Sequence, residues 1–172
     1  MEEIYVVDQN DKFVRKSTRQ EVREKALLHR SIGIIILNKE GKFVIQKRSM
    51  NKDIYPGYWD IGVAGTVRGN DSYESTVIRE VYEEIGVTGI SNTQLMGSFL
   101  FELKYLSPEH NVLCKVYKII YNGKLKPQKE EIEDLKLLTN KEIKALISKN
   151  LFHPIGALAF KKYLDMQTNQ KL

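Results

Sequence analysis

The sequence predicts an α/β (α+β) fold in which a mixed β-sheet is sandwiched between helices. Two observations carry this expectation. Segments that alternate with the two-residue period of a strand are interspersed with segments that repeat at the helical period. Several strand-like segments also follow one another through short turns, which excludes a purely parallel sheet, because parallel neighbours need long crossovers. At 172 residues the chain has the length of a single domain with one sizeable core.

The elements follow in order. Ile4–Asp8 and Lys12–Lys16 flank Gln9-Asn10-Asp11 and read as a hairpin. Thr18 and Glu21 have capping-box spacing and open a short helix ending near Leu28. Hairpin and helix together make an N-terminal unit over residues 1–30 that is expected to lie on the rest. Ser31–Leu37 and Lys42–Arg48 read as strands around the turn Asn38-Lys39-Glu40-Gly41. A loop with the turn signal Pro56-Gly57 leads to a brief strand near Trp59–Val63. A helix follows from Ser72 to Ile85. Leu95–Tyr105 and Val112–Tyr121 read as longer strands, and Leu135–Leu138 as a short one. Thr139 and Glu142 form a second capping box for a helix to about Lys149. Pro154 suits the first turn of a last helix reaching about Met166.

Composition narrows the function classes. The longest apolar run, Ile32–Leu37, is far too short to cross a bilayer. The acidic Met1-Glu2-Glu3 start is unlike a secretory signal, and the single cysteine, Cys114, rules out an internal disulfide. A cytoplasmic protein without a membrane partner is the expectation. The net charge of +5 suits an anionic ligand, and equally suits simple solubility. Its basic residues are spread along the chain with no basic stripe, so no nucleic-acid partner is expected.

The helix over 72–85 carries the chemistry. Val77, Ile78, Val81 and Ile85 recur at helical spacing and make an apolar face. Asp71 with Glu74 reads as an N-terminal capping signal, and Gly86 as the left-handed residue that ends the helix. Glu80, Glu83 and Glu84 share one patch at i, i+3 and i+4. Like charges so placed cost roughly 0.2–0.5 kcal/mol per pair, and the last turn of a helix disfavours anions further. Such a patch is either a solvated acidic face, with Arg79 pairing to Glu83, or a site for a hard cation such as Mg2+ or Mn2+.

The longer run decides between these. Gly65, Asp71 and Arg79-Glu80-Val81-Tyr82-Glu83-Glu84-Ile85-Gly86-Val87 resemble the Nudix box, G-x5-E-x7-R-E-U-x-E-E-x-G-U with U apolar. The one departure is Asp71, which stands where that pattern has Glu. The resemblance implies a Nudix-like α/β/α sandwich in which loop, helix and turn form a platform for metal and diphosphate, with Gly65 in the loop. It also implies that Glu80 and Glu84 are the main ligands of Mg2+ or Mn2+. Glu83 becomes an auxiliary ligand or, like Glu84, a candidate base, and Arg79 orients the carboxylates. Asp71 is a weaker candidate that serves as well as a helix cap.

Tyr5-Val6-Val7-Asp8, Leu27-Leu28-His29-Arg30, Gln46-Lys47-Arg48-Ser49 and Tyr55-Pro56-Gly57-Tyr58-Trp59-Asp60 extend the resemblance to the branch that includes isopentenyl diphosphate isomerase. That isomerase needs a cysteine, a glutamate and metal-binding histidines. This chain has Ala64, Thr66 and Val112 at the corresponding places, and only His29 stands for the histidine set. Lys47 and Arg48, at the end of a strand, are candidates to contact phosphate oxygens, and one of Glu130 and Glu131 is a candidate to complete the metal site from another loop. Trp59 reads as core or as a base-stacking surface, and Cys114 as core. The expectation is a metal-dependent hydrolase of a diphosphate linkage in a nucleoside diphosphate derivative or related organic diphosphate. The alternatives are a non-catalytic diphosphate-binding module and, behind it, the isomerase.

Overall fold

The structure is a computed structural model that describes residues 3–91, 95 and 97–169. The first two residues and Met96, which entered the sequence reading, lie outside the described residues. Strands β1 (Glu3–Val7) and β2 (Phe13–Thr18) form the N-terminal hairpin, followed by α1 (Arg19–Glu24). Next come β3 (His29–Leu37), β4 (Phe43–Arg48), β5 (Trp59–Ile61), β6 (Val63–Thr66) and α2 (Tyr73–Ile85). The chain continues through β7 (Phe99–Leu106), β8 (Asn111–Ile120), β9 (Ile132–Leu138), α3 (Asn140–Ser148) and α4 (Pro154–Asn169).

Among the described residues all nine strands belong to one mixed sheet. β3 is its centre. It runs parallel to β8 along its whole length, from His29↔Val112 to Leu37↔Ile120, and antiparallel to β6 on the other side. The alternation along β3 explains why both faces are covered. Ile32, Ile34 and Ile36 join Val77, Val81 and Ile85 of α2 in one core cluster. Ile35 and Leu37 join Ile143 of α3 and Phe160 and Tyr163 of α4 in the other. Each fully buried side chain of this kind stabilises the fold by roughly 1.5–3 kcal/mol. The sandwich therefore follows from a strand that is apolar on both faces. Among the described residues no helix is long and apolar enough to cross a membrane.

Several local readings are corrected. α1 ends at Glu24, well short of Leu28, because Ala26 turns the backbone to φ 45°. The strand near Trp59–Val63 is two strands. Gly62 makes a corner at φ 57°, where a Cβ would lie 1.7 Å from the Ile34 carbonyl oxygen, and the chain passes from pairing with β4 to pairing with β3. β7 starts at Phe99; Leu95 bonds back to Ser91 and is buried against the α2 side of the sheet. Asp71 does not cap α2. Ser72 does, accepting from the Ser75 amide while the Ser75 hydroxyl answers the Ser72 amide. Gly86 closes the helix at φ 69°, as its position implied.

Candidate active site

α2 lies against β6 with its apolar stripe inward, and this turns Glu80 and Glu84 into the protein while Glu83 stays half-exposed. The relation is set by the helix itself. Residues at i and i+4 share an edge, and i+3 falls to the solvent side of it. Glu80 fills the space over Gly65: a Cβ at position 65 would sit 2.3 Å from the Glu80 carboxyl carbon. Gly65 is thus the cradle of a carboxylate.

Arg79 ties the acidic groups together. Its Nη1 donates to Glu80 Oε1 at 2.6 Å and lies 3.4 Å from Glu83 Oε2, while Nη2 donates to the Thr66 carbonyl at 3.2 Å. Its Nε is 3.5 Å from Asp71 Oδ2, so Asp71 serves as a counter-charge to Arg79. Burial raises the Glu80 carboxyl above its ordinary range, with the Arg79 charge opposing the rise.

Glu84 is the most enclosed acid of the patch. Its Oε2 is buried without a hydrogen-bond partner among the described residues, and its Oε1 is 4.0 Å from the Lys52 ammonium. Burial pushes its pKa up to about 8, the nearby Lys52 working against the shift. Lys52 in turn forms an ion pair with Glu131. Backbone bonds from Lys126 to the Ile85 carbonyl and from Gln128 to the Glu84 carbonyl fasten this distant segment to the end of α2. The Ser49 amide then bonds the Glu131 carbonyl, which brings loop 49–58 to the same place.

Among the described residues no three His, Cys, Asp or Glu side chains stand ready to ligate one ion. Glu80 is turned to Arg79, and Glu131 to Lys52. The donor chemistry nevertheless fits a hard divalent cation. The Glu84 oxygen without a partner among the described residues is one that a hard cation would satisfy, and Gly65 holds open the space in which the Glu80 carboxylate sits.

A cavity of about 280 Å3 is lined by Gly65, Lys52 and Glu131 together with Arg19, Arg23 and His110. His29 is 2% exposed on its wall; its Nδ1 donates to the Leu27 carbonyl at 2.8 Å, and burial lowers its pKa to about 4. Arg48 lines the cavity too, but its guanidinium is engaged by the Ile54 and Tyr55 carbonyls, so it braces loop 49–58. Lys47 is not brought to the cavity. It pairs with Glu133 at 2.9 Å on the outside of the sheet. Trp59 packs against the core beneath Lys136, 4.8 Å above its ring, and Cys114 is buried beside Gly33.

Sequence reasoning missed Lys52, Arg23 and His110. Each is an ordinary polar residue in a loop or short helix, and no spacing rule connects them to α2. It missed the Asp60 cluster as well. Asp60 is buried, accepts from the Ile61 amide at 2.8 Å, and lies 3.7 Å from His153 Nδ1 and 3.9 Å from Arg48.

Comparison with known proteins gives consistent likenesses. The family described as NUDIX domain matches residues 27–155. The chain is 30% identical over 160 residues to a Pseudomonas aeruginosa protein described as an uncharacterized Nudix hydrolase, covering 92% of this chain and 91% of that one. The crystal structure of DR0079 from Deinococcus radiodurans superposes with a TM-score of 0.74 at 21% identity, over 94% of this chain and 98% of its own. The NUDIX domain of Shewanella oneidensis NrtR, solved with ADP ribose, gives 0.63 at 12% identity, with 88% and 99% covered. At those identities the two structures speak for the fold alone.

Proposed function

The chain belongs to the Nudix family and is a Nudix-type hydrolase, and from that premise we propose that it uses Mg2+ or Mn2+ to cleave a diphosphate linkage in a nucleoside diphosphate derivative or a related organic diphosphate. The observation that carries this reading is the buried, unpartnered Oε2 of Glu84 beside the cradled Glu80. An oxygen so placed costs free energy unless it meets a proton or a cation. The ADP ribose with which the NrtR domain was solved is a member of the class that the substrate panel below samples.

In this reading Glu80 and Glu84 would hold the ion, with Glu131 available once Lys52 releases it. A divalent ion there supplies the charge that polarises a phosphoryl oxygen. The protein does the rest. Arg79 fixes the Glu80 carboxylate through its 2.6 Å bond, and its anchor on the Thr66 carbonyl keeps helix and loop in register. Glu83 or Glu84 takes the proton of the attacking water. Arg48 braces the loop that carries Lys52, while Lys52 offers an ammonium to the diphosphate. Isomerisation is not proposed, because Ala64 and Val112 supply no group to add or remove a proton on an alkene.

The test is a panel of nucleoside diphosphate derivatives incubated with Mg2+ or Mn2+, the products being resolved chromatographically. We expect metal-dependent cleavage that Glu84→Gln lowers by about two to four orders of magnitude. Tight binding with no cleavage of any member would favour the binding module instead.

A further inference from the structure

Two polar side chains of the cavity wall, Asp60 and His153, are not used by the metal platform. Asp60 is 3% exposed and His153 7%. The His153 amide donates to the Trp59 carbonyl at 2.7 Å, so the backbone holds the two residues close where α4 begins against β5. Asp60 Oδ1 accepts from the Ile61 amide and fits against Gly156, where a Cβ would lie 2.0 Å from it. Oδ2 is left over. It lies 3.7 Å from His153 Nδ1 and 3.9 Å from Arg48 Nη1, both beyond hydrogen-bond length. His153 Nδ1 is itself buried without a hydrogen-bond partner among the described residues. The Tyr55 ring packs edge-on against the imidazole, 4.7 Å between centroids, and keeps it in place. Burial lowers the His153 pKa, with the Asp60 charge opposing the fall, so the ring is neutral at neutral pH.

A carboxylate oxygen and a ring nitrogen left in this way favour a ligand that bonds to both. Asp60 repels an anion, and a cation is not called for, because Arg48 already faces that carboxylate. What remains is a neutral group that both donates and accepts. Hydroxyls do both, and they satisfy His153 whichever nitrogen carries the proton. A single water would fill the gap, but the cavity of about 280 Å3 has room for far more than one. The site is also near the acids of α2. Burial is the main cause that raises the Glu84 carboxyl, and the charge of Asp60 adds to the rise.

We propose that Asp60 and His153 form a hydroxyl subsite that seats the vicinal diol of a ribose, one hydroxyl donating to Asp60 Oδ2 and its neighbour bonding to His153 Nδ1. The substrate class narrows to diphosphates whose ribose keeps both hydroxyls. This identity of the substrate rests on the hydrolase reading; the subsite does not.

Titration of neutral nucleosides into the full chain in EDTA tests the subsite with the metal platform disabled. Adenosine, cytidine, guanosine and uridine are compared with their dideoxy counterparts, which lack both ribose hydroxyls. The readout is the imidazole NMR signals of His153, assigned by their loss in His153→Phe. At least one ribonucleoside is expected to shift them and to bind roughly 10-fold or more tightly than its dideoxy counterpart. Asp60→Asn is expected to lose that margin, with melting curves showing that the variant folds. No shift by any ribonucleoside, equal affinity within every pair, or a margin that a folded Asp60→Asn retains overturns the subsite; the first two need no variant. Hydrolysis of the matching nucleoside diphosphates with Mg2+ tests the substrate class. The ribose member is expected to have a kcat/KM roughly 10–100-fold higher, and Asp60→Asn to shrink that ratio. No preference in any pair overturns the class, as does an equal fall for both members, which is what a merely structural Asp60 would give. If no diphosphate is cleaved at all, the hydrolase reading fails, and the nucleoside titration still decides the subsite.

Discussion

Replacing Gly65 with alanine separates the shape of the site from the stability of the fold. Gly65 is absent from the positive-φ positions, so alanine meets no backbone strain there. Its Cβ, however, would lie 2.3 Å from both Cδ and Oε1 of Glu80 and 2.5 Å from Cγ. Carbon atoms rest about 3.5–4.0 Å apart, so the Glu80 carboxylate has to retreat by more than about 1 Å. In moving it strains or breaks the 2.6 Å bond from Arg79. Misplacing a catalytic group by about 1 Å costs roughly 100-fold in rate. Overpacking costs about 1–3 kcal/mol, and the end of a flexible side chain puts this case near the lower limit. The expected result is kcat lowered about 100-fold with weakened metal affinity, while urea denaturation shows a loss near 1 kcal/mol. Gly33→Ala is the control, since its Cβ would meet Cys114 Sγ at an ordinary 3.5 Å; its stability should stay within about 1 kcal/mol of wild type. Wild-type kcat and metal affinity in Gly65→Ala would refute the reasoning that this glycine exists to admit Glu80.

Further outcomes follow from the same geometry. Mg2+ or Mn2+ at 100 times its dissociation constant should stabilise wild type by about 2.7 kcal/mol, read as a rise in Tm over the EDTA sample; Glu84→Gln should lose most of that rise, and an undiminished rise would remove Glu84 from the metal site. Lys52→Met leaves Glu131 without its partner and Glu84 without its nearest cation, so denaturation in EDTA should show a loss of about 1–3 kcal/mol. Added metal should recover that loss, and a variant as stable as wild type in EDTA would contradict the pairing. Burial lowers His29 to about 4 and His110 to about 3, and lowers His153 as well. The unfolded chain then binds more protons than the native one below about pH 6.5, so stability is full above that pH and is lost as pH falls toward 4. His29 alone accounts for on the order of 3 kcal/mol. Glu84 titrates with the opposite sign, because its raised pKa favours the fold on acidification. Urea denaturation at pH 7 and pH 4.5 should therefore be run in the Glu84→Gln background, where a flat profile would exclude the buried neutral histidines.

The sequence by itself determined what depends on neighbours a few residues apart. The i, i+3, i+4 spacing of Glu80, Glu83 and Glu84, the stop at Gly86, the capping box at Thr139 and the two-sided apolar alternation of β3 are local, and each recurs in the structure. Local competition was harder to judge. Asp71 and Ser72 are both good caps, and Ser72 takes the role because Asp71 faces Arg79, eight positions on. Only the tertiary structure decided which distant residues join the site. Lys52 and Glu131 reach Glu84 because backbone bonds hold residues 126–131 to the end of α2 and to loop 49–58. Lys47, just ahead of the same loop, is directed to Glu133 by the alternation of β4. Arg23 meets His110, 87 positions away, because the N-terminal strand β1 pairs with β3 at His29 while β8 pairs there too. Spacing along a helix is set by bond geometry. The meeting of two loops is set by how a whole sheet closes its core, and no short stretch of sequence encodes that.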